Sequence, residues 1–108
     1  MDNFKVIYRI LKHLEASLDY PETDYEAISP FRLNVTRERW EQLLIMLQDE
    51  GYIKGIVTAR NLSDVKRRIA EPITPVITLK GLEYLVENTK IKKAAGLLKG
   101  VKDTIPGF

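Results

Sequence analysis

Apolar side chains recur every three or four positions at the start of the chain. The stripe consists of Phe4, Ile7, Leu11, Leu14 and Leu18, with charged side chains between its members. This spacing predicts an amphipathic helix. Asp2 or Asn3 can cap its start, and Pro21 ends it because the residue before a proline avoids the helical region. The pattern predicts a first helix from about Asn3 to Asp19.

Two more helices are predicted before residue 51. Residues 25–28 indicate a short extended piece, and Ser29-Pro30 is typical of an N-cap followed by proline at the first helical position. A short second helix then runs through residues 31–33. A third apolar stripe consists of Trp40, Leu43, Leu44 and Leu47. It predicts a third helix over about residues 37–50, capped by Thr36 and stopped by a left-handed Gly51.

A hairpin is predicted next. Residues 52–58, YIKGIVT, are rich in β-branched and aromatic side chains, which favours a strand. Residues 61–64 supply turn chemistry, and residues 65–70 alternate well enough to pair back. The alternative is one short helix marked by Leu62, Val65 and Ile69. The hairpin is preferred because the first strand has no other obvious partner, while Pro72 and Pro75 disfavour a central strand between them.

The last part of the chain predicts two helices. Thr78 is a good N-cap for LKGLEYLVEN, and Thr89 can cap a final helix over about residues 89–104. Residues 105–108 are expected to be a loose tail. The final helix has an apolar stripe that packs in cis or against a second copy, which would make a homodimer through the C-terminal helices.

This order of elements predicts an α+β fold in one domain over residues 1–108, with a core over about 1–88. Three N-terminal helices, a two-stranded β-wing and two C-terminal helices are the winged variant of helix-turn-helix. The chain is 44% hydrophobic and 30% charged, as in globular proteins, and lacks cysteine. No apolar run approaches the ~20 residues of a membrane span. We therefore expect a cytoplasmic protein.

Charge is distributed unevenly and makes duplex DNA a candidate partner. Residues 1–50 hold 6 basic and 10 acidic side chains, and residues 51–108 hold 11 and 5. Side chains able to reach base edges occur on the third helix, and basic side chains occur on the wing. The candidate DNA-binding residues are Arg37, Arg39, Gln42, Arg60, Lys66, Arg67 and Arg68.

The opposite interpretation has equal support from the residues. Glu38, Glu41, Asp49 and Glu50 leave the third helix net negative, which penalises docking on phosphate. An ordinary solvated helix, with wing charges that protect an exposed β-edge, explains the same pattern. The lone Trp40 lies on the apolar stripe and is expected in the core.

An enzymatic function is not indicated. Neither a P-loop nor a dinucleotide-binding glycine pattern is present, and no nucleophile–base arrangement can be assembled. The one histidine, His13, is expected to be a surface or boundary residue on the first helix, and not a ligand or a base. We predict no catalytic residue, no metal site and no cofactor.

The segment WEQLLIMLQDEGYIKG followed by ITLKGLEYLVENTKIKKA resembles the YjcQ-like family, small winged-helix proteins of Gram-positive bacteria and their phages. The similarity spans most of the chain. It implies the fold, and it transfers no catalytic residue to this chain. The T-x-x-G step from Thr78 to Gly81 is also similar to one in winged-helix transcription regulators, where the helices after the wing commonly form a dimer.

Two functional hypotheses follow from the sequence. The first is a non-enzymatic winged-helix protein, bacterial or prophage-encoded, that binds DNA like a transcription regulator. The second is a protein–protein adaptor or phage modulator that uses the same scaffold without binding DNA. A continuous positive face on the third helix and the wing would favour the first hypothesis, and a negative or apolar surface on that helix would favour the second.

Overall fold

The computed structural model describes residues 2–59 and 66–94, with side chains up to residue 88. Within these ranges four α-helices and two small antiparallel β-sheets make an α+β fold, as predicted. In chain order the elements are α1 (Asn3–Ala16), α2 (Pro30–Leu33), α3 (Arg37–Asp49), β1 (Ile53–Lys54), β2 (Thr58–Ala59), β3 (Arg68–Ile69), β4 (Val76–Ile77) and α4 (Leu79–Ala94).

Helix α1 begins where the sequence predicted and buries a different stripe. The Asp2 carboxylate accepts a hydrogen bond from the Phe4 N–H at 2.9 Å, and the helix continues after Ala16 into a 3-10 turn at Ser17–Asp19. Its buried residues are Val6, Ile10, Leu11 and Leu14. Phe4 and Leu18 are 69% and 61% exposed. The core contacts the helix along i, i+4 positions from Val6 to Leu14, which leaves Phe4 outside the buried stripe. Leu18 is exposed because it lies in the 3-10 turn, after the α-helix has ended.

The segment before α2 is not extended as predicted. Tyr25–Ile28 forms a 3-10 turn, because the Asp24 carboxylate accepts a hydrogen bond from the Glu26 N–H at 3.1 Å and starts the turn. Helix α2 matches the prediction. Ser29 caps it, and Asn34 ends it in the left-handed region with φ 58°.

Helix α3 supplies much of the core. Thr36 caps its start, and Gly51 follows its end with φ +85° as predicted. Six of its residues are buried, namely Trp40, Glu41, Leu43, Leu44, Ile45 and Leu47. The Trp40 indole N–H donates to the Ile28 carbonyl at 2.8 Å, which confirms the expected core position of this side chain.

The strands form two separate pairs, so the prediction of one continuous strand over residues 52–58 is wrong. Strand β1 pairs with β4, and β2 pairs with β3. The break falls at Gly55, where φ is +100° and an added Cβ would lie 2.7 Å from the Thr74 carbonyl oxygen. A left-handed residue ends the first pairing and redirects the chain into the second. The β2–β3 pairing favours the predicted hairpin over the alternative helix.

Helix α4 runs without interruption to Ala94, so the prediction of a separate helix beginning at Thr89 is wrong. The Asn88 side-chain amide donates to the Tyr84 carbonyl at 2.9 Å, and the polar residue thereby binds the preceding turn instead of ending the helix. The predicted tail and most of the predicted final helix lie outside the described residues. The predicted homodimer, which depends on that helix, stays a prediction.

The two segments that resemble the YjcQ-like family meet in space. The Thr78 hydroxyl donates to the Gly51 carbonyl at 2.6 Å and accepts from the Gly81 N–H at 3.1 Å. The Lys80 ammonium donates to the Glu50 carbonyl at 2.8 Å. These bonds, together with the β1–β4 pairing, join the end of α3 to the start of α4. We call this junction of residues 50–54 with residues 76–84 the clasp.

Candidate nucleic-acid interface

Six of the seven predicted DNA-binding residues lie in the described part of the chain. Arg37, Arg39 and Gln42 are on α3, whereas the stretch Lys66–Arg68 leads into β3. Arg60 lies outside the described residues. We call the side chains of residues 37–50 and of residues 66–71 the predicted DNA surface.

Arg37 is paired with a carboxylate. Its Nη1 donates to Glu71 Oε1 at 2.6 Å, and its guanidinium carbon lies 5.4 Å from the centre of the Trp40 ring. The hydrogen bond and the charge of Glu71 raise the pKa of Arg37 above its ordinary value. The charged ends of both side chains are solvent-exposed. A DNA phosphate could bind Arg37 only after it displaced the Glu71 carboxylate.

Arg68 is paired with a buried carboxylate. Its Nε donates to Glu41 Oε1 at 2.7 Å, and the backbone N–H of Ile69 donates to Glu41 Oε2 at 3.3 Å. Glu41 is 3% exposed. A carboxylate removed from water needs such partners, since an unpaired one would be very costly. Arg68 therefore balances a charge of the protein itself.

Arg67 and Gln42 hold the β2–β3 pair against α3. The Gln42 side-chain amide donates to the Arg67 carbonyl at 2.8 Å, and the Arg67 guanidinium donates to the Asp49 carboxylate. Nearby, the Gln48 side chain donates to the Ile56 carbonyl at 2.8 Å and accepts from the Ile56 N–H at 2.7 Å. These side chains fix the orientation of the strands, and the sequence offered no signal for the pairs.

Arg39 and Lys66 remain open to solvent. They line a surface depression of about 400 Å³ whose other walls include Glu38, Gln42 and Met46. Arg39 donates to the side-chain oxygen of Asn3 at 2.7 Å, a neutral partner. Arg39, Gln42 and Met46 therefore share one face of α3. Within the described residues, neither Arg39 nor Lys66 forms an ion pair.

Among the described residues, the predicted DNA surface carries equal numbers of positive and negative side chains. The cations are Arg37, Arg39, Lys66, Arg67 and Arg68, and the carboxylates are Glu38, Glu41, Asp49, Glu50 and Glu71. Three pairs are in direct contact. This surface therefore carries five positive and five negative charges, and its described part is not the continuous positive face that duplex DNA favours.

Other candidate chemistry is sparse in the described residues. His13 Nε2 lies 2.7 Å from the Asp24 carbonyl oxygen, which ties the end of α1 to the following loop. Residues 2–59 and 66–94 contain no group of three or more His, Asp or Glu side chains placed to hold a metal ion. None of the helices in those ranges is long and apolar enough to cross a membrane.

Comparison with known proteins identifies one family. The family model described as "YjcQ protein" matches residues 8–104. A relative from Bacillus subtilis (strain 168), named "Uncharacterized protein YjcQ", is 31% identical over 106 residues, which are 97% of this chain and 99% of the relative. No solved structure matches the chain.

Proposed function

Since the chain belongs to the YjcQ family, we propose that it is a non-enzymatic winged-helix protein that acts as a protein-interaction adaptor. The winged-helix assignment is supported by the order of three helices, then paired strands, then a further helix. It is also supported by α3 lying directly against the β2–β3 pair, which corresponds to the wing. Fold alone does not determine function, so the adaptor role depends on the surface of α3.

The observation that supports an adaptor is the balance of charge on the predicted DNA surface. A DNA-binding protein gains much of its affinity by neutralising phosphates with Lys and Arg. Here Arg37, Arg67 and Arg68 each contact a carboxylate of the same chain. Binding to phosphate would break these pairs and would bring four exposed carboxylates, Glu38, Asp49, Glu50 and Glu71, close to DNA. A partner protein whose own surface carries both charges could bind here without breaking these pairs and without bringing carboxylates close to phosphate.

The depression on α3 is the part of this surface best suited to a protein partner. Met46 is 56% exposed at its wall, and the buried Leu43 side chain lies at its lining. Arg39 and Lys66 flank these apolar groups. A central apolar contact surrounded by polar side chains is the usual arrangement of a protein interface.

Affinity capture from the native host tests the adaptor. We expect the intact chain to retain a specific protein after nuclease treatment, and the Met46→Asp variant to lose it. Val86→Asp is the matched control, because Val86 is 52% exposed on α4, away from the depression. Equal capture by both variants, or loss of every partner after nuclease treatment, would contradict the proposal.

DNA binding is the second candidate, and Arg39 with Lys66 favours it. These two cations have no carboxylate partner in the described residues, and Arg39 lies in the first turn of α3, where a recognition helix contacts bases. In this case the Arg39→Ala/Lys66→Ala variant should weaken binding to duplex DNA and lower the slope of log affinity against log salt by about 2.

A further inference from the structure

A second concave surface lies between β4 and the loop that follows α1. It has a volume of about 590 Å³ and shares no lining residue with the depression on α3. Its lining is mostly apolar and includes Leu14, Leu18, Tyr20, Tyr25, Val76 and Ile77. Leu18, Tyr20 and Val76 are 61%, 69% and 41% exposed. We call this surface the β4 slot.

The slot runs beside an unpaired edge of β4. The Thr78 N–H donates to the Tyr52 carbonyl, and Ile53 lies opposite Ile77 in the pairing. Ladder bonds of an antiparallel pair alternate, so the N–H and C=O of Ile77 point away from β1. Within the described residues, neither group has a hydrogen-bond partner. An unpaired strand edge next to an apolar groove is a site where a further strand can bind.

The 3-10 turn at Tyr25–Ile28 explains why this edge is open. The sequence predicted an extended piece here, and the Tyr25 hydroxyl does lie next to the sheet, donating to the Pro75 carbonyl at 3.1 Å. The backbone of residues 25–28, however, forms no strand. Because the Asp24 cap turns the chain instead, the position beside Ile77 is left without a strand.

Charge indicates which kind of strand fits. Glu22 lines the slot, and the loop around it also has Asp19, Asp24 and Glu26 without any basic residue. In the described part of the chain, none of these four carboxylates forms an ion pair. On the predicted DNA surface, in contrast, three of the five carboxylates form ion pairs. The slot is thus complementary to a segment with positive charge.

We propose that the β4 slot binds an extended segment of a partner protein that alternates apolar residues with Lys or Arg. The segment adds a strand to β4 through the N–H and C=O of Ile77. Its apolar side chains pack on Leu18, Tyr20 and Val76, and its cations meet Glu22 and the loop around it. The interaction uses other residues than the adaptor surface on α3, so either can fail without the other.

NMR titration of the full chain with a blocked hexapeptide of alternating valine and lysine tests the slot. We expect the amide resonances of Val76 and Ile77 to shift, with a dissociation constant on the order of 0.1 mM. Glu22→Lys should weaken binding about tenfold or more, while Glu83→Lys, an exposed change on α4, should leave it unchanged.

Two control peptides distinguish the addition of a positively charged strand to β4 from other modes of binding. Methylation of alternate backbone nitrogens removes the donors that an added strand needs, and replacement of lysine by glutamate reverses the charge. We expect both peptides to lose binding. Equal binding of either control, or shifts confined to α3, would overturn the proposal. So would shifts at Val76 and Ile77 that follow protein concentration without peptide, because a second copy would then occupy the slot.

Discussion

Gly81 lies where α4 passes closest to β1 and β4. A Cβ at this position would lie 2.4 Å from the Tyr52 carbonyl oxygen and 2.6 Å from Ile77 Cγ1. The first of these atoms is backbone and cannot move aside without opening the β1–β4 pairing. The clasp therefore requires a residue without a side chain at this position.

We expect Gly81→Ala to lower the free energy of unfolding by about 3 kcal/mol, the upper part of the range for overpacking. Urea unfolding followed by circular dichroism measures the change. Glu83→Ala is a suitable control, because this exposed residue of α4 should change stability by less than about 0.5 kcal/mol. A loss below about 1 kcal/mol in Gly81→Ala would show that the helix can shift away from Tyr52.

Glu41 and Arg68 form the ion pair with the most buried carboxylate among the described residues. A double-mutant cycle with Glu41→Gln and Arg68→Met should give a coupling energy of about 1.5 kcal/mol, since Arg68 is half exposed and a charge-assisted bond is partly screened. The exposed Lys12–Glu15 pair on α1 should give about 0.4 kcal/mol. Equal coupling in the two cycles would mean that burial of Glu41 contributes nothing.

At the residue scale, the sequence predicted the helix caps but did not predict which side chains contact partners far away in the chain. The caps at Asp2, Ser29, Thr36 and Thr78 follow from residue type and the next few positions. Glu41 looked like a solvated acid because its partners, Arg68 and the Ile69 N–H, are more than twenty positions away in the chain. Helical spacing does not indicate which polar residue β3 will cover.

At the scale of elements, the sequence predicted the helices better than the strands. Helices α2 and α3 depend on local caps and an apolar stripe, so their bounds were found closely. Residues 52–58 looked like one strand because five of the seven are β-branched or aromatic. The division into β1 and β2 depends on the approach of Thr74 to Gly55, which is a tertiary contact.

The clasp should make stability sensitive to high pH. Burial, with a smaller effect from Tyr52, raises the pKa of Tyr84 above its ordinary value. The two rings lie 5.1 Å apart between their centres. The folded protein then holds this phenol proton more tightly than the unfolded chain does. The contribution to stability is complete below a pH of about 10 and is lost as the pH rises through the raised pKa.

We therefore expect Tyr84→Phe to lose less stability than the natural chain between pH values of about 8 and about 11. Urea unfolding at both pH values, on both proteins, gives the comparison. Tyr20→Phe is the control, because the Tyr20 side chain is largely exposed. Parallel loss of stability in the natural chain and in Tyr84→Phe would contradict the pH dependence assigned to this residue.

At the scale of the whole molecule, the folded chain mixes charges that the sequence separates. The N-terminal half is net negative and the C-terminal half is net positive, which suggested a basic face. Folding places Arg67 and Arg68 of the second half on Asp49 and Glu41 of the first. The excess of charge along the chain is thus partly cancelled on the predicted DNA surface, a result that no count along the sequence could give.

We expect the carboxylates of Asp49 and Glu71 to keep the predicted DNA surface from binding DNA. Titration of a labelled duplex of mixed sequence, at about 50 mM salt, tests it most directly when the natural chain is compared with the Asp49→Asn/Glu71→Gln variant. The variant frees Arg67 and Arg37, so we predict salt-dependent binding by the variant and none by the natural chain. Tight, salt-dependent binding by the natural chain would contradict the account.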